Sequence, residues 1–188
     1  MAKVLVFLVP GFEEIEFTSV VDILRRCNIE VTVAGSHNEA IEGGHRIKIV
    51  PDLTIDKVNV KDFDAVVTVG GTPGTENLRR DERVREALKK SVELGKITAA
   101  ICATPSILSE IGVLKGKACT IYPGMEKELK KGGGKFIRKG LVVVDGKIIT
   151  SRGPATSIPF ALKIAEKLID RETVRNVRKR VLANLAFK

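Results

Sequence analysis

The sequence predicts an α/β fold with a mostly parallel sheet covered by helices on both faces. Short runs of β-branched and aliphatic residues recur without polar alternation, and helix-period segments lie between them. Uninterrupted apolar strands are buried on both faces, and strands joined through helices cross over to lie parallel. The length, 188 residues, falls within the ~100–200 typical of one compact domain. The whole chain, 1–188, is therefore expected to form one.

Lys3–Val9 is a continuous strand-type run that stops at Pro10. Glu13 to Arg26 carries Ile15, Val20, Ile23 and Leu24 at helical spacing. Ile29–Ala34 reads as the second strand, and Arg46–Val50 as a third, set in a hairpin or edge excursion before Pro51. Ala65–Val69 repeats the buried-strand pattern and ends at Gly70-Gly71. Asp81–Leu94 reads as a helix with Val84, Leu88 and Val92 inward and Gly95 as its stop. Ile97–Ile101 is a buried strand running into Cys102, and Pro105–Ile111 is a short helix. Ala118–Ile121 is a further strand, and Gly132-Gly133-Gly134 a turn before Lys135–Arg138. Asp145-Gly146 joins Leu141–Val144 to Lys147–Thr150 as a hairpin. Pro154–Ile169 and Thr173–Leu185 close the chain as helices, the second with Val174, Val177, Val181 and Leu185 on one face.

Composition narrows the function. Three scattered cysteines, Cys27, Cys102 and Cys119, with no C-x-x-C, argue against a disulfide framework or zinc ribbon. The apolar run at the start is too short to span a membrane and lacks the basic lead of a signal peptide. The expectation is a reduced, cytoplasmic protein. The net charge is +9, and from Lys115 onward 18 basic residues face 6 acidic ones. Aromatics make up only 4% of the chain, with no Trp, so bases have little to stack on. The basic half reads as a solvated surface, with no nucleic-acid partner expected.

Parallel sheets carry their functional groups in loops at the carboxyl ends of the strands. Three loops matter: Pro10–Glu16, Gly70–Gly74 and Cys102–Pro105. Cys102 leaves a buried strand between small residues, and Pro105 suits a first helical turn. That is the logic of a nucleophile elbow, without the glycines of G-x-S-x-G. Unpaired helix N–H groups there would lower the thiol pKa from ~8.5; a plain buried core cysteine is the competing reading. Gly70-Gly71-Thr72-Pro73-Gly74 fits neither a P-loop nor G-x-G-x-x-G. The Gly71 amide could complete an oxyanion hole, or the loop could be only a tight turn. Glu13, Glu14 and Glu16 complement the start of a helix and would repel a pyrophosphate. A buried, protonated Glu16 could donate to the Cys102 sulfur. The two histidines, His37 and His45, give too few ligands for a metal site, so none is expected. Either could pair with Cys102 only by folding back over it, from this chain or a partner subunit.

Four ordered stretches resemble one family: Pro10–Glu16, Val69-Gly70-Gly71, Ala99–Pro105 and Thr150–Ser157. The chain is similar, over nearly its whole length, to the ThiJ/PfpI superfamily, and within it to the protein-deglycase branch associated with Parkinson disease. The resemblance implies a flavodoxin-like three-layer sandwich, usually homodimeric, with a reactive cysteine on the elbow and no cofactor. Cys102 matches that cysteine, and Glu16 the glutamate whose protonated carboxyl contacts the sulfur. Gly71 and Ala103 match the positions whose amides form the oxyanion pocket, and Pro154 the pocket wall. Two positions depart from the pattern. The peptidase-like branch has His where Ala103 stands, and the deglycase branch often has His where Thr120-Ile121-Tyr122-Pro123 puts Tyr122. A phenol of pKa near ~10 is a poor base at neutral pH.

The resemblance implies cysteine-dependent, glutathione-independent conversion of α-oxoaldehydes, methylglyoxal to lactate, or deglycation of glycated amines and thiols by the same chemistry. The alternatives are a redox sensor or stress chaperone working through Cys102 oxidation, and third an intracellular cysteine peptidase, which Ala103 disfavours.

Overall fold

A computed structural model describes residues 1–187. The strands are β1 (Lys3–Leu8), β2 (Glu30–Gly35), β3 (Ile41–Glu42), β4 (Lys48–Ile49), β5 (Leu53–Thr54), β6 (Ala65–Thr68), β7 (Ile97–Ala100), β8 (Ala118–Cys119), β9 (Lys135–Phe136), β10 (Val142–Asp145) and β11 (Ile148–Ser151). The α-helices are α1 (Glu14–Arg26), α2 (Gly74–Arg80), α3 (Glu82–Glu93), α4 (Pro105–Glu110), α5 (Glu126–Lys131), α6 (Ser157–Leu168), α7 (Arg171–Arg180) and α8 (Ala183–Ala186). Seven strands form the main sheet in the order β10-β11-β7-β6-β1-β2-β5. Every neighbouring pair in it is parallel except the β10–β11 hairpin. The predicted helix-covered, mostly parallel sheet is what the chain forms.

Strand β1 shows why. Val4, Val6 and Leu8 enter the core beneath α1 and α6, against Val20, Leu24, Phe160 and Ile164. Leu5 and Phe7 enter the opposite core with Leu88, Ile107 and Leu108. Each such side chain contributes about 1.5–3 kcal/mol when fully buried, so both faces of the strand must be apolar. Helix α1 begins where Glu13 Oε2 accepts the Glu16 N–H at 2.6 Å, satisfying one orphan donor of the first turn.

Several elements differ from the sequence expectation. Ile15, expected in the buried stripe of α1, is 57% exposed, because its position faces away from the sheet. Val92, expected inward on α3, is 37% exposed near the helix end. The terminal helix does not run from Thr173 to Leu185. It stops at Arg180, Leu182 takes the left-handed conformation, and α8 is a separate turn that leaves Leu185 exposed. The third strand is only Lys48–Ile49, paired antiparallel with β3. Gly74–Arg80 and Glu126–Lys131 form helices where the sequence reading assigned no element beyond the loop ending at Gly74. Among the described residues, no helix is long and apolar enough to cross a membrane.

Candidate active site

The loops leaving β1, β6 and β7 converge at the carboxyl edge of the sheet. The Glu13 N–H donates to Gly70 O at 2.9 Å, and the Gly74 N–H to Gly11 O at 3.0 Å. A Cβ on Gly71, whose φ is +113°, would press on the backbone of Gly11, Phe12 and Glu13. This close approach and left-handed conformation admit only glycine, which is how the second loop lies flat on the first.

Cys102 sits just past β7 with φ +64°. A non-glycine residue held there costs about 1–3 kcal/mol, and its surroundings hold it firmly. Its N–H donates to Ser151 O at 3.2 Å, and its carbonyl accepts the Tyr122 N–H at 2.8 Å. The buried Thr104 hydroxyl ties the turn to Ile101 O at 2.8 Å and Thr68 O at 3.2 Å. Elbow geometry thus arises without the flanking glycines, because Ala103 and Thr104 are small enough for the turn.

Glu16 is fully buried. Its Oε2 accepts the Gly70 N–H at 2.7 Å, whereas Oε1 is buried with no hydrogen-bond partner. The carboxyl lies close enough to the Cys102 thiol for each to shift the other's pKa. Gly70 lies between the two: a Cβ there would fall 3.0 Å from the sulfur and 3.1 Å from Glu16 Oε2. Burial raises the Glu16 pKa to about 7, against the pull of the Gly70 N–H and the thiol. Burial also pushes the Cys102 thiol up; the charge and hydrogen bond of an ionised Glu16 add to this, and the Ala103 amide only partly offsets it. The sequence argument for a lowered thiol pKa weighed the local helix amides alone. In the folded protein the two acids sit together, so burial raises both and the pair titrates jointly.

A cavity of about 500 Å³ opens above the sulfur, lined by Cys102, Gly71, Ala103, Tyr122 and Pro154. These are the five lining positions singled out from the sequence, and Glu16 lies beneath them. Tyr122 is 46% exposed, its ring against Gly153. Phe12, Glu13, Gly44, His45, Thr72 and Met125 complete the lining. Of these, Phe12, Glu13 and Thr72 lie in the loops singled out from the sequence, His45 was considered as a residue that would have to fold back, and Gly44 and Met125 were not anticipated. Within its own chain His45 enters the cavity that holds Cys102, though its ring pairs with Glu14, whereas His37 lies apart, paired with Glu39 at 3.1 Å.

His45 Nδ1 is 2.9 Å from Oε2 of Glu14. Glu14 is only 4% exposed. Burial works to raise its pKa, but hydrogen bonds from the His45 side chain and backbone outweigh this and hold it below the usual carboxylate range. The hydrogen bond to Glu14, and then its charge, raise the His45 pKa in turn. With Glu13 they form the one cluster among the described residues whose ligand-type atoms lie within 4.8 Å of one another, a grouping the sequence did not anticipate. Glu14 and His45 are satisfied by each other and Glu13 by the helix cap, so the arrangement is a carboxylate–imidazole hydrogen bond beside a capping carboxylate.

The DJ-1/PfpI family model matches residues 2–167. Drosophila melanogaster DJ-1beta is 42% identical over 179 residues, 95% of this chain and 95% of that protein. The chain belongs to the DJ-1/PfpI family. The crystal structure of Drosophila DJ-1beta superposes with a TM-score of 0.91, covering 96% of this chain and 97% of that one. Oxidized Toxoplasma gondii DJ-1, 34% identical, superposes at 0.90 over 97% of this chain and 98% of that one. These DJ-1 neighbours bear out the flavodoxin-like sandwich. The Caenorhabditis elegans protein named glutathione-independent glyoxalase DJR-1.2 is 35% identical over 167 residues, 89% of this chain and 88% of that protein. Within the DJ-1/PfpI family, glyoxalase-type activity is thus attached to a relative of similar length.

Proposed function

We propose that this protein converts α-oxoaldehydes to α-hydroxy acids, methylglyoxal to lactate, without glutathione or a cofactor. The observation that carries the reading is the fully buried Glu16 carboxyl, with a pKa of about 7, beside Cys102 at the floor of a small cavity. A carboxyl so tuned is half ionised at neutral pH and can both take and give a proton.

Glu16 takes the Cys102 proton as sulfur attacks the aldehyde carbon. The new C–S bond sends the carbonyl electron pair to oxygen, which faces the Gly71 and Ala103 amides and recovers the proton as a hemithioacetal. Glu16 next removes the hydrogen on that carbon to give an enediolate and returns the proton to the neighbouring carbon, while the hydroxyl proton on the first carbon passes to the oxygen of the second. The first carbon is oxidised and the second reduced, so no external oxidant is needed. The product is a lactoyl thioester, which water cleaves to lactate and the free thiol. Deglycation of amines or thiols would use the same attack on the aldehyde.

The test is methylglyoxal consumption with a lactate readout, in EDTA and without glutathione. One lactate per methylglyoxal is expected; consumption without lactate overturns the reading. A second reading, in which peroxide oxidises Cys102 to a sulfinate held by Glu16 and the Ala103 amide, draws on the partial exposure of Cys102 beside the buried Cys27 and Cys119. A stable adduct of two oxygens on Cys102 in a protein that makes no lactate would favour it.

We also propose a homodimer through the start of α1. Ile15 is 57% exposed and Ile47 52% exposed, and the Ile47 backbone lies close enough to the Glu14 carboxylate to help lower its pKa, which places an apolar patch where two copies could meet. Sedimentation of Ile15→Arg is expected to show a folded monomer where the parent chain is a dimer.

A further inference from the structure

We propose that His45, oriented by Glu14, is the general base that activates the water which releases the acyl group from Cys102. The inference rests on the glyoxalase reading and supplies the step that Glu16 is badly placed to perform. Glu16 is fully buried beneath the sulfur, and a hydrolytic water has to arrive from the open side of the cavity. The titratable groups lining that cavity are Glu13, His45, Cys102 and Tyr122. Glu13 is committed to the α1 cap, Cys102 carries the acyl group, and a phenol oxygen is a far weaker proton acceptor than an imidazole nitrogen. His45 is 77% exposed along its side chain, with solvent on one side and the cavity on the other.

The loop between β3 and β4 is built to hold the imidazole there. Its tip is pinned to the first catalytic loop by the Gly44 N–H to Phe12 O at 2.9 Å and the Gly11 N–H to Glu42 O at 2.8 Å. Arg46 turns the chain with φ +70°, and the Glu14 carboxylate accepts the backbone N–H of His45 as well as binding its ring. Gly43 leaves room for that carboxylate, since a Cβ there would meet it. An anionic Glu14 accepts from Nδ1–H, so the neutral ring presents Nε2 as its lone-pair nitrogen. A carboxylate that fixes an imidazole tautomer is the orienting half of the serine-hydrolase triad.

In the step proposed, Nε2 takes a proton from water while the water oxygen bonds to the thioester carbon. The resulting oxyanion faces the Gly71 and Ala103 amides. The C–S bond then breaks with its electron pair returning to sulfur, and the imidazolium passes its proton to that sulfur or to solvent. One water and one acyl-enzyme give one lactate and one thiol. Glu14 is a positioning residue: it acts through His45.

The groups acting on the imidazole are Glu14 and Glu13 from the start of α1, and Cys102 from the elbow and Tyr122 from the loop after β8 share its cavity. Glu14 and Glu13 both favour the protonated ring, so kcat should rise with pH as His45 loses its proton. Wild type, His45→Gln, Glu14→Gln and, as a control, His37→Gln are quenched during methylglyoxal turnover and weighed intact. In His45→Gln, kcat is expected to fall about 10²-fold, with a lactoyl adduct accumulating on Cys102 and the first-turnover capture of methylglyoxal unchanged. Glu14→Gln should turn over with the acidic limb of its kcat profile moved to lower pH, because the ring loses the charge that raised its pKa. His45→Gln turning over at the wild-type rate, or slowing capture and release alike, overturns the proposal while leaving the glyoxalase reading intact. A wild type that forms no lactate overturns both.

Discussion

Lactate formation from methylglyoxal is expected to fall by at least about 10³-fold in Cys102→Ser, to a level set by the cavity alone. The substitution changes one atom at a position whose backbone, at φ +64°, is held by Ser151, Tyr122 and Thr104, so the elbow should survive it. What is lost is a nucleophile that Glu16 can deprotonate, since a hydroxyl is far less acidic than a thiol. The same variant identifies the reactive thiol. Cys27 and Cys119 are buried, so alkylation of the folded protein by iodoacetamide should label Cys102 and disappear in Cys102→Ser. Because burial and an ionised Glu16 push the thiol up, labelling should be slow at neutral pH and quicken as the pH rises. Turnover retained in Cys102→Ser removes the covalent mechanism; rapid labelling at neutral pH shows that sulfur, and not Glu16, holds the first negative charge.

Much of this site was legible in the sequence because its parts are local. A buried strand that runs into Cys102, small residues beside it and Pro105 after it specify an elbow within a few positions. The same holds for Glu16, one turn into a helix that follows a buried strand. The place of His45 was not legible, since it depends on a short hairpin folding onto α1 across 31 residues of sequence. Helix α2 was hidden by the glycines of its entry: Gly74 starts it because a Cβ there would press on Gly11 and Phe12, a contact invisible in one dimension. Apolar spacing also leaves open which residues are covered. Ile15 keeps helical period with Ile23 yet lies outward, and Leu182 breaks the final helix with no glycine or proline to announce it. The thiol pKa shows the same boundary between local and global physics. The neighbouring amides pull it down as expected, and burial beside a second acid, a property of the assembled fold, pulls harder the other way.

Glu16→Gln is expected to separate the two consequences of placing an acid under the sulfur. The substitution keeps the shape and the acceptor for the Gly70 N–H, and removes the proton exchange. Turnover should fall about 10²–10⁴-fold, the usual contribution of a positioned acid–base group. The rise of kcat/KM through about pH 7, which reports the Glu16–Cys102 pair in the free enzyme, should vanish from the residual activity. Stability should respond in the opposite direction. A carboxyl whose pKa is 4.5 when exposed and about 7 when folded keeps its proton in the native state over a window where the unfolded chain has released it. The native state then binds more protons, so its stability is highest below about pH 4.5 and falls as pH rises to about 7, by roughly 3 kcal/mol for this group. Carboxylates such as Asp81, held low by Arg83, contribute the reverse slope at lower pH and are common to both proteins. Denaturant midpoints of the two proteins should therefore converge near pH 5 and diverge by pH 8, with Glu16→Gln the more stable at the higher pH. A wild-type curve parallel to that of Glu16→Gln across this window would mean that Glu16 ionises near its ordinary value. The carboxyl could then neither protonate the hemithioacetal oxygen nor share its proton with Cys102 at neutral pH.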